Sequence, residues 1–428
     1  PDSPLRAIIY VESLPHTVDW SWDSLEGAKR SPEDIVFLQH SSGTTGLQKG
    51  VALSHEAVLN QLRAYSAAIQ INRRDVVVSW LPLYHDMGLI AGFILPIFTG
   101  VKLVLMSPFD WVRAPYRLMR SVNDYRGTLS WLPNFAYNFC ASKIRDRDLQ
   151  DVDLSSWRAV INCSEPMRYE SHEMFIERFE PYGLRRSALA TCYAMAENVF
   201  AVTQGGIGEP VRIDEISRAR LSEHDKALPP EGDDQVVRML SAGHPIPNTQ
   251  VRVIDPAGNK LADRSIGEIV LKGESLLSAY YRRPDLTREA FLDGWYKTGD
   301  LGYMLEGELF ITGRAKELII VGGKNIYPQD IEALVYEVPG VYPGRVVAFG
   351  VENTALGTED VAVVVELDDQ RGSEGGAVAK EIRAAVAEGS DVTARYVQVV
   401  ERGWLIKTSS GKNARTANKE KYLLEFGG

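Results

Sequence analysis

Between about residues 35 and 163, short aliphatic and β-branched runs alternate with stretches of helical spacing. That alternation constrains the fold more than any other feature of the chain. IVFLQ (35–39) reads as a strand leading into a Ser/Gly/Thr loop. Residues 55–70 have helical spacing, with Val58, Leu59, Leu62, Tyr65 and Ile69 on one face. VVVSWLP (76–82) reads as a buried strand. It is followed by an apolar helix within 87–101, the strand KLVLM, and a further strand RAVINC (158–163). Helices inserted between buried strands predict an α/β fold with a parallel sheet. Beyond about residue 240 the texture changes to strands (250–254, 267–272 and 309–312) linked by turns such as DPAGN and LDGW, a β-rich subdomain over 240–312. From Gly313 a third texture begins, with short strands (LIIVGG, VVAFGV, DVAVVVEL) and short helices (PQDIEALVYEV, VAKEIRAAVAEG). The expected organisation is a large domain over 1–315 and a small α+β domain over 316–428, with the boundary near Thr312–Lys316. The charged stretch 214–235 is expected to be exposed.

Composition narrows the function classes. With 47 basic and 57 acidic side chains the formal net charge is −10, which argues against nucleic-acid binding, because phosphate recognition needs a basic face. Three cysteines, Cys140, Cys163 and Cys192, without C-x-x-C spacing provide neither a disulfide framework nor a zinc ribbon. Reduced thiols in a cytoplasmic protein are the simplest reading. The apolar run 87–101 is shorter than the roughly 20 residues a bilayer span needs, so no membrane span is expected.

The densest chemical signal is Ser41-Ser42-Gly43-Thr44-Thr45-Gly46-Leu47-Gln48-Lys49-Gly50, with four hydroxyls, three glycines and a lysine after a strand. Successive N–H groups and hydroxyls in such a loop make an anion nest suited to polyphosphate. The spacing is not that of a P-loop. Taken alone, the loop reads equally well as a Gly/Ser turn.

Four further stretches follow in order: YAMAE (193–197), YKTGD (296–300), GRAKE (313–317) and TSSGK (408–412). Together with the loop they resemble the adenylate-forming superfamily of acyl-CoA synthetases, luciferases and peptide-synthetase adenylation domains, over about 34–422. The resemblance implies roles for particular residues. Ser42, Thr44, Thr45 and Lys49 would close over the β- and γ-phosphates of ATP, and Ser164, Glu165 and Pro166 would line the nucleotide site. Tyr193 would stack on adenine and Glu197 would bind Mg²⁺. Asp300 and Arg314 would hold the ribose hydroxyls. Lys412 would bridge the substrate carboxylate and the α-phosphate, and Lys316 would be the hinge of a mobile small domain. The chemistry suits these residue types: charge on a transferring phosphoryl group needs cations and aimed donors, and an aspartate accepts from both hydroxyls of a diol.

LPLYHDMGLIAG (81–92), CSEPMR (163–168), NIYPQDIE (325–332) and YPGRVVAFGV (342–351) most resemble the fatty acyl-AMP ligases. Those enzymes activate fatty acids and pass them to an acyl carrier protein. The long polar stretch 197–243 is similar to the insertion that restrains their small domain. In this family His85 lies at the acyl-adenylate site. Ala194, Asn198, Tyr342 and Asn413 depart from the usual motif residues without removing a catalytic charge. Forty residues precede Ser41 and the chain opens on Pro1, so the resemblance implies a missing N-terminal portion. Two other readings stand beside this one. The first is a long-chain acyl-CoA synthetase, and the second is a non-catalytic nucleotide-binding remnant.

Overall fold

The computed structural model describes residues 30–40, 49–322, 324–353, 357–368, 371, 374–390, 392–408 and 411–426. Its centre is a seven-stranded sheet. From edge to edge the strands run His244–Pro245, Ala201–Gly205, Leu189–Ala194, Ala159–Cys163, Leu129–Leu132, Val76–Ser79 and Lys102–Leu105. The last five are mutually parallel, and the first two add antiparallel. Leu129–Leu132 and Ala159–Cys163 are buried at every position, as strands covered by helices on both faces must be. The sheet core carries fully buried Trp131, Trp157, Tyr137 and Phe175. Within it, Trp131 Nε1 donates to Tyr65 Oη at 2.7 Å, and Tyr65 Oη donates to Gln204 Oε1 at 2.9 Å.

The helix expected over 55–70 spans His55–Ala68, capped by Ser54, whose Oγ accepts from Ala57 N at 3.1 Å. Val58, Leu62, Tyr65 and Ile69 are buried as anticipated, but Leu59 is exposed. The apolar run 87–101 is helical, but its first part, Met87–Ile94, winds with the wider π spacing before the α-turn Leu95–Thr99. Such windings are rare and concentrate at functional sites. A Cβ on Gly88 would lie 2.2 Å from the Pro82 carbonyl oxygen, so only glycine lets this helix seat against the preceding loop.

A second sheet joins Thr249–Ile254, Gly267–Gly273, Trp295–Leu305 and Phe291–Leu292, with Glu308–Arg314 pairing on Trp295–Leu305. This is the β-rich subdomain. The chain after it forms a sheet of Val341–Asn353, Thr358–Leu367 and Ala394–Val400, with the helices Pro328–Tyr336, Gly375–Gly389 and Arg415–Phe426. Its core of Ile331, Val335, Val346, Val363, Val378 and Ile382 is separate from the core around the large sheet.

The stretch 214–235 departs from expectation. It contains most of the strand Ile213–Ser217 and the helix Arg218–His224, and the strand pairs with Val236–Leu240. Asp214 is buried because Arg264 grips its carboxylate with two nitrogens, at 2.9 and 3.0 Å, and Tyr303 Oη donates to it at 2.8 Å. A charge so paired can leave water, which a reading of composition does not register. Ile216 and Leu221 pack with Tyr303, Phe310 and, from the small domain, Tyr327. Asn325 Nδ2 adds a hydrogen bond to Asp225 Oδ1 at 3.0 Å.

Candidate active site

Ser42, Thr44 and Thr45 lie outside the described residues. Several of the other candidate side chains lie at the carboxyl ends of the parallel strands, where open α/β sheets bind ligands. Tyr193 sits near the end of Leu189–Ala194, Ser164 directly follows Ala159–Cys163, and His85 follows Val76–Ser79.

One cluster links four separated stretches of chain. Tyr193 Oη donates to Asp300 Oδ2 at 2.5 Å, and Arg314 Nε donates to Asp300 Oδ1 at 2.8 Å. Asp300 and Arg314 stand opposite each other in the antiparallel pair Trp295–Leu305 and Glu308–Arg314, so strand register sets their contact. Asp300 N is held by Thr298 Oγ1 at 3.0 Å. Glu197 lies beside this trio. Its Oε1 accepts from Tyr280 Oη at 2.9 Å, and that hydroxyl also meets Tyr296 Oη at 2.9 Å. Lys49 Nζ stands 4.6 Å above the centre of the Tyr280 ring. Burial pushes the Glu197 carboxyl up from its ordinary range, with the Tyr280 hydroxyl and the charges of Arg314 and Lys49 pulling the other way. Asp300 holds the Arg314 guanidinium more firmly charged than usual, against burial and with help from Glu317. Just beyond Glu197, Val199 adopts φ 62°, an outlier for a β-branched residue. This reversal starts the return strand Ala201–Gly205, and Met195 N bonds Phe200 O at 2.8 Å across it.

A second group faces the small domain. His85 Nδ1 lies 2.6 Å from Asp86 Oδ1, and the same carboxylate oxygen accepts from Met87 N at 2.7 Å. Burial raises the Asp86 carboxyl, but His85 and then the Lys412 ammonium outweigh it and leave the group below its usual range. Lys412 therefore lies near enough for the charge of its ammonium to be felt at Asp86. It sits in a tight turn: Thr408 N bonds Lys412 O at 2.7 Å, and Lys412 N bonds Thr408 Oγ1 at 3.2 Å. Glu165 Oε2 accepts from Phe135 N at 2.9 Å in the first turn of the helix Asn134–Lys143. Ser164, at φ 70°, places Glu165 there. Lys316 is exposed in the short turn Ala315–Glu317, two residues beyond Arg314.

Behind the Ser164–Glu165–Pro166 loop lies a buried polar network. Asn134 Oδ1 accepts from Arg168 N at 3.1 Å and from Asn162 Nδ2 at 2.9 Å, and Asn162 Nδ2 also lies 3.1 Å from His172 Nε2. Burial lowers the His172 pKa from 6.5 to about 4, while the neighbouring charges of Glu173 and Arg186 act in opposite directions. The unfolded chain takes up this proton near pH 6.5 and the folded chain only near pH 4, so stability falls as pH drops through that window. The loss should reach about 3 kcal/mol, read as a falling urea midpoint between those pH values, and His172→Gln should remove that part of the slope. A slope unchanged in the variant would mean that His172 does not titrate in this way.

Tyr280, Tyr296 and Asp86 belong to the site but carry no assigned role in the sequence reading. Tyr296 opens the YKTGD motif and Asp86 directly follows His85 in LPLYHDMGLIAG, so each had a signal. Tyr280, in SAYYRRP, had none. A metal held by protein alone would need several carboxylates or imidazoles together, and no such group of three occurs among the described residues. The donor set around Glu197 instead fits a Mg²⁺ ion shared with nucleotide phosphates, since Mg²⁺ typically takes one or two carboxylates and completes its shell with phosphate and water. Among the described residues, no helix is long and apolar enough to cross a membrane.

Comparison with known proteins places this geometry. The family described as AMP-binding enzyme matches residues 6–281. The chain is 33% identical over 429 residues to a medium-chain-fatty-acid–[acyl-carrier-protein] ligase, JamA of Moorena producens, covering 97% of this chain and 72% of that protein. It is 34% identical over 422 residues to a 4-hydroxyphenylalkanoate adenylyltransferase of Mycobacterium tuberculosis, covering 94% and 67%. A solved structure from work on fatty acyl-adenylate ligases of E. coli and L. pneumophila superposes with a TM-score of 0.86 at 33% identity, over 92% of this chain and 71% of that one. With this architecture and these matches, the chain belongs to the AMP-binding enzymes and is an ATP-dependent, adenylate-forming ligase of the fatty acyl-AMP ligase and acyl-CoA synthetase group.

Proposed function

We propose that this enzyme joins a fatty acid to ATP, giving acyl-adenylate and pyrophosphate, and then passes the acyl group to the phosphopantetheine thiol of an acyl carrier protein. The observation that carries this reading is the convergence of Tyr193, Asp300, Arg314, Glu197 and Lys49 on one side, with the charge of Lys412 felt at Asp86 on the other. Asp300, freed from one of its present partners, accepts the ribose hydroxyls beside Arg314. Tyr193 flanks the adenine. Ser42, Thr44, Thr45 and Lys49 close on the distal phosphates, with Ser164, Glu165 and Pro166 along the nucleotide. Glu197 holds Mg²⁺, which when bound neutralises phosphate charge. Lys412 places its ammonium between the fatty carboxylate and the α-phosphate as the carboxylate attacks, and His85 borders the acyl end.

The second half-reaction needs room for a thiol where Lys412 stands. In this reading the small domain, 316–428, rotates about Lys316 and withdraws the turn, so one pocket serves two chemistries by rigid-body motion. A carrier protein is favoured over coenzyme A by the segment around Ile216, Leu221 and Asp225, which holds Tyr327 and Asn325 of the small domain. The relative named as an acyl-carrier-protein ligase supports the same choice. The second reading is an acyl-CoA synthetase, the description given to a Caulobacter vibrioides relative 33% identical over 397 residues.

The deciding experiment measures pyrophosphate and AMP release across a ladder of fatty acids, with coenzyme A and with a phosphopantetheinylated carrier. Pyrophosphate is expected with the preferred acid alone, and faster AMP release with the carrier only. Equal acceleration by coenzyme A would establish the synthetase reading, and no pyrophosphate with any fatty acid would remove the substrate class.

A further inference from the structure

The turn that presents Lys412 is anchored by a buried guanidinium. Arg415, the first residue of the helix Arg415–Phe426, donates Nε to Glu317 Oε2 at 3.1 Å and Nη1 to the Ala348 carbonyl at 2.8 Å. Its Nη1 also meets Glu332 Oε1, and Nη2 reaches Glu332 Oε2 at 3.5 Å. Glu332 Oε1 in turn accepts from Ala348 N at 2.9 Å. The side chains of Arg415, Glu317 and Glu332 are 14%, 16% and 11% exposed.

Burying a cation with two carboxylates costs desolvation that apolar packing would avoid, so stability alone is a weak reason for the arrangement. What the cluster joins gives a better one. Glu332 lies on the helix Pro328–Tyr336 and Ala348 on the strand Val341–Asn353, both inside the small domain. Glu317 ends the short turn Ala315–Glu317, which directly follows the last strand of the β-rich subdomain. Arg415 itself is three residues beyond Lys412. The turn has other attachments, but they run within the small domain: Asn413 Nδ2 to Val346 O at 2.6 Å, Ala414 N to Ile406 O at 3.0 Å and Ile406 N to Asn418 Oδ1 at 2.8 Å. Among the described residues, the arm from Arg415 to Glu317 reaches the Ala315–Glu317 turn, where the small domain begins. Glu317 also acts on Arg314, so a single carboxylate faces both the arginine beside Asp300 and the mount of Lys412.

We propose that Arg415 is a positioning residue which, through Glu317, ties the Lys412 turn to the Ala315–Glu317 turn at the start of the small domain, so that the setting of that turn fixes where the ammonium stands. A swinging domain must return its lysine to within a fraction of an ångström, and a displacement of about 1 Å is enough to cost roughly 10²-fold in rate. A planar, permanently charged fork holding two carboxylates supplies that stiffness, and a lysine would not. The inference rests on the reading of Lys412 given above.

The test uses Glu317→Gln, which weakens the arm while leaving Arg415 on Glu332 and Ala348, and Arg415→Lys, which keeps the charge and loses the fork. ATP–pyrophosphate exchange with dodecanoate reads the first half-reaction, AMP release from supplied dodecanoyl-adenylate with pantetheine reads the second, and thermal unfolding reads stability. In Glu317→Gln the exchange kcat should fall about 10- to 100-fold, with the KM for ATP and the pantetheine reaction within about twofold of the parent. Arg415→Lys should show the same split, and if it fails to fold, Glu317→Gln alone decides. Exchange within twofold of the parent in Glu317→Gln, or a parallel fall of both half-reactions with a lowered unfolding midpoint, would overturn the proposal. Lys412→Ala run alongside separates the two ideas. If it keeps exchange, the role of Lys412 fails. If it loses exchange while Glu317→Gln does not, only the role of Arg415 fails.

Discussion

Lys412→Ala is expected to lower acyl-adenylate formation by roughly 10²–10³-fold or more while leaving transfer from supplied acyl-adenylate close to the parent rate. The asymmetry follows from where charge develops. When a carboxylate attacks the α-phosphorus, negative charge accumulates on oxygens that the Lys412 ammonium would meet. Thioester formation from the finished anhydride has no such demand. Lys412 stands where it can act, since its field is felt at Asp86 in the large domain, and its turn is closed by the Thr408–Lys412 hydrogen bonds. ATP–pyrophosphate exchange and single-turnover acyl transfer, measured on the same preparation, check the expectation. Equal loss in both would contradict the division of labour.

Glu197→Gln should raise the Mg²⁺ concentration needed for half-maximal adenylation by at least about tenfold, with a matching weakening of MgATP binding measured by calorimetry. The substitution keeps the shape of the side chain and an oxygen able to accept from Tyr280 Oη, now at 2.9 Å, so the local fold should persist. It removes the negative charge. That carboxylate is held in a buried site against its desolvation cost, with Arg314 and Lys49 offsetting only part of it. A cation arriving with the triphosphate relieves the cost, and a neutral amide offers it nothing comparable. A metal titration identical to the parent would remove Glu197 from the metal site.

The alternation of strand and helix was legible because burial on both faces forces continuous β-branched runs, and 76–82 and 158–163 carry them plainly. The motifs were legible because each keeps its chemistry in a few consecutive residues. Three features were not. Tyr280 reaches Glu197 across 83 positions of sequence, and nothing local marks it. The charged stretch around Asp214 looked solvated, but Arg264 and Tyr303 neutralise its burial from 50 and 89 residues away. The π winding of Met87–Ile94 was also hidden, because an apolar run shows that a segment is buried and not how its carbonyls pair.

The sequence by itself determined the fold class, the family and the chemical inventory: a Ser/Gly/Thr-rich loop, the aspartate of YKTGD, the glutamate of YAMAE and the lysine of TSSGK. Those are properties of residue type and short spacing. Only the tertiary structure decided that Tyr193, Asp300 and Arg314 form one hydrogen-bonded unit, that Lys412 acts on Asp86, and that Arg415 joins Glu317 to the turn carrying that lysine. Each of these depends on strand register and on the packing of one domain against another. Long-range contacts are chosen by the burial of the whole chain, which no short stretch encodes.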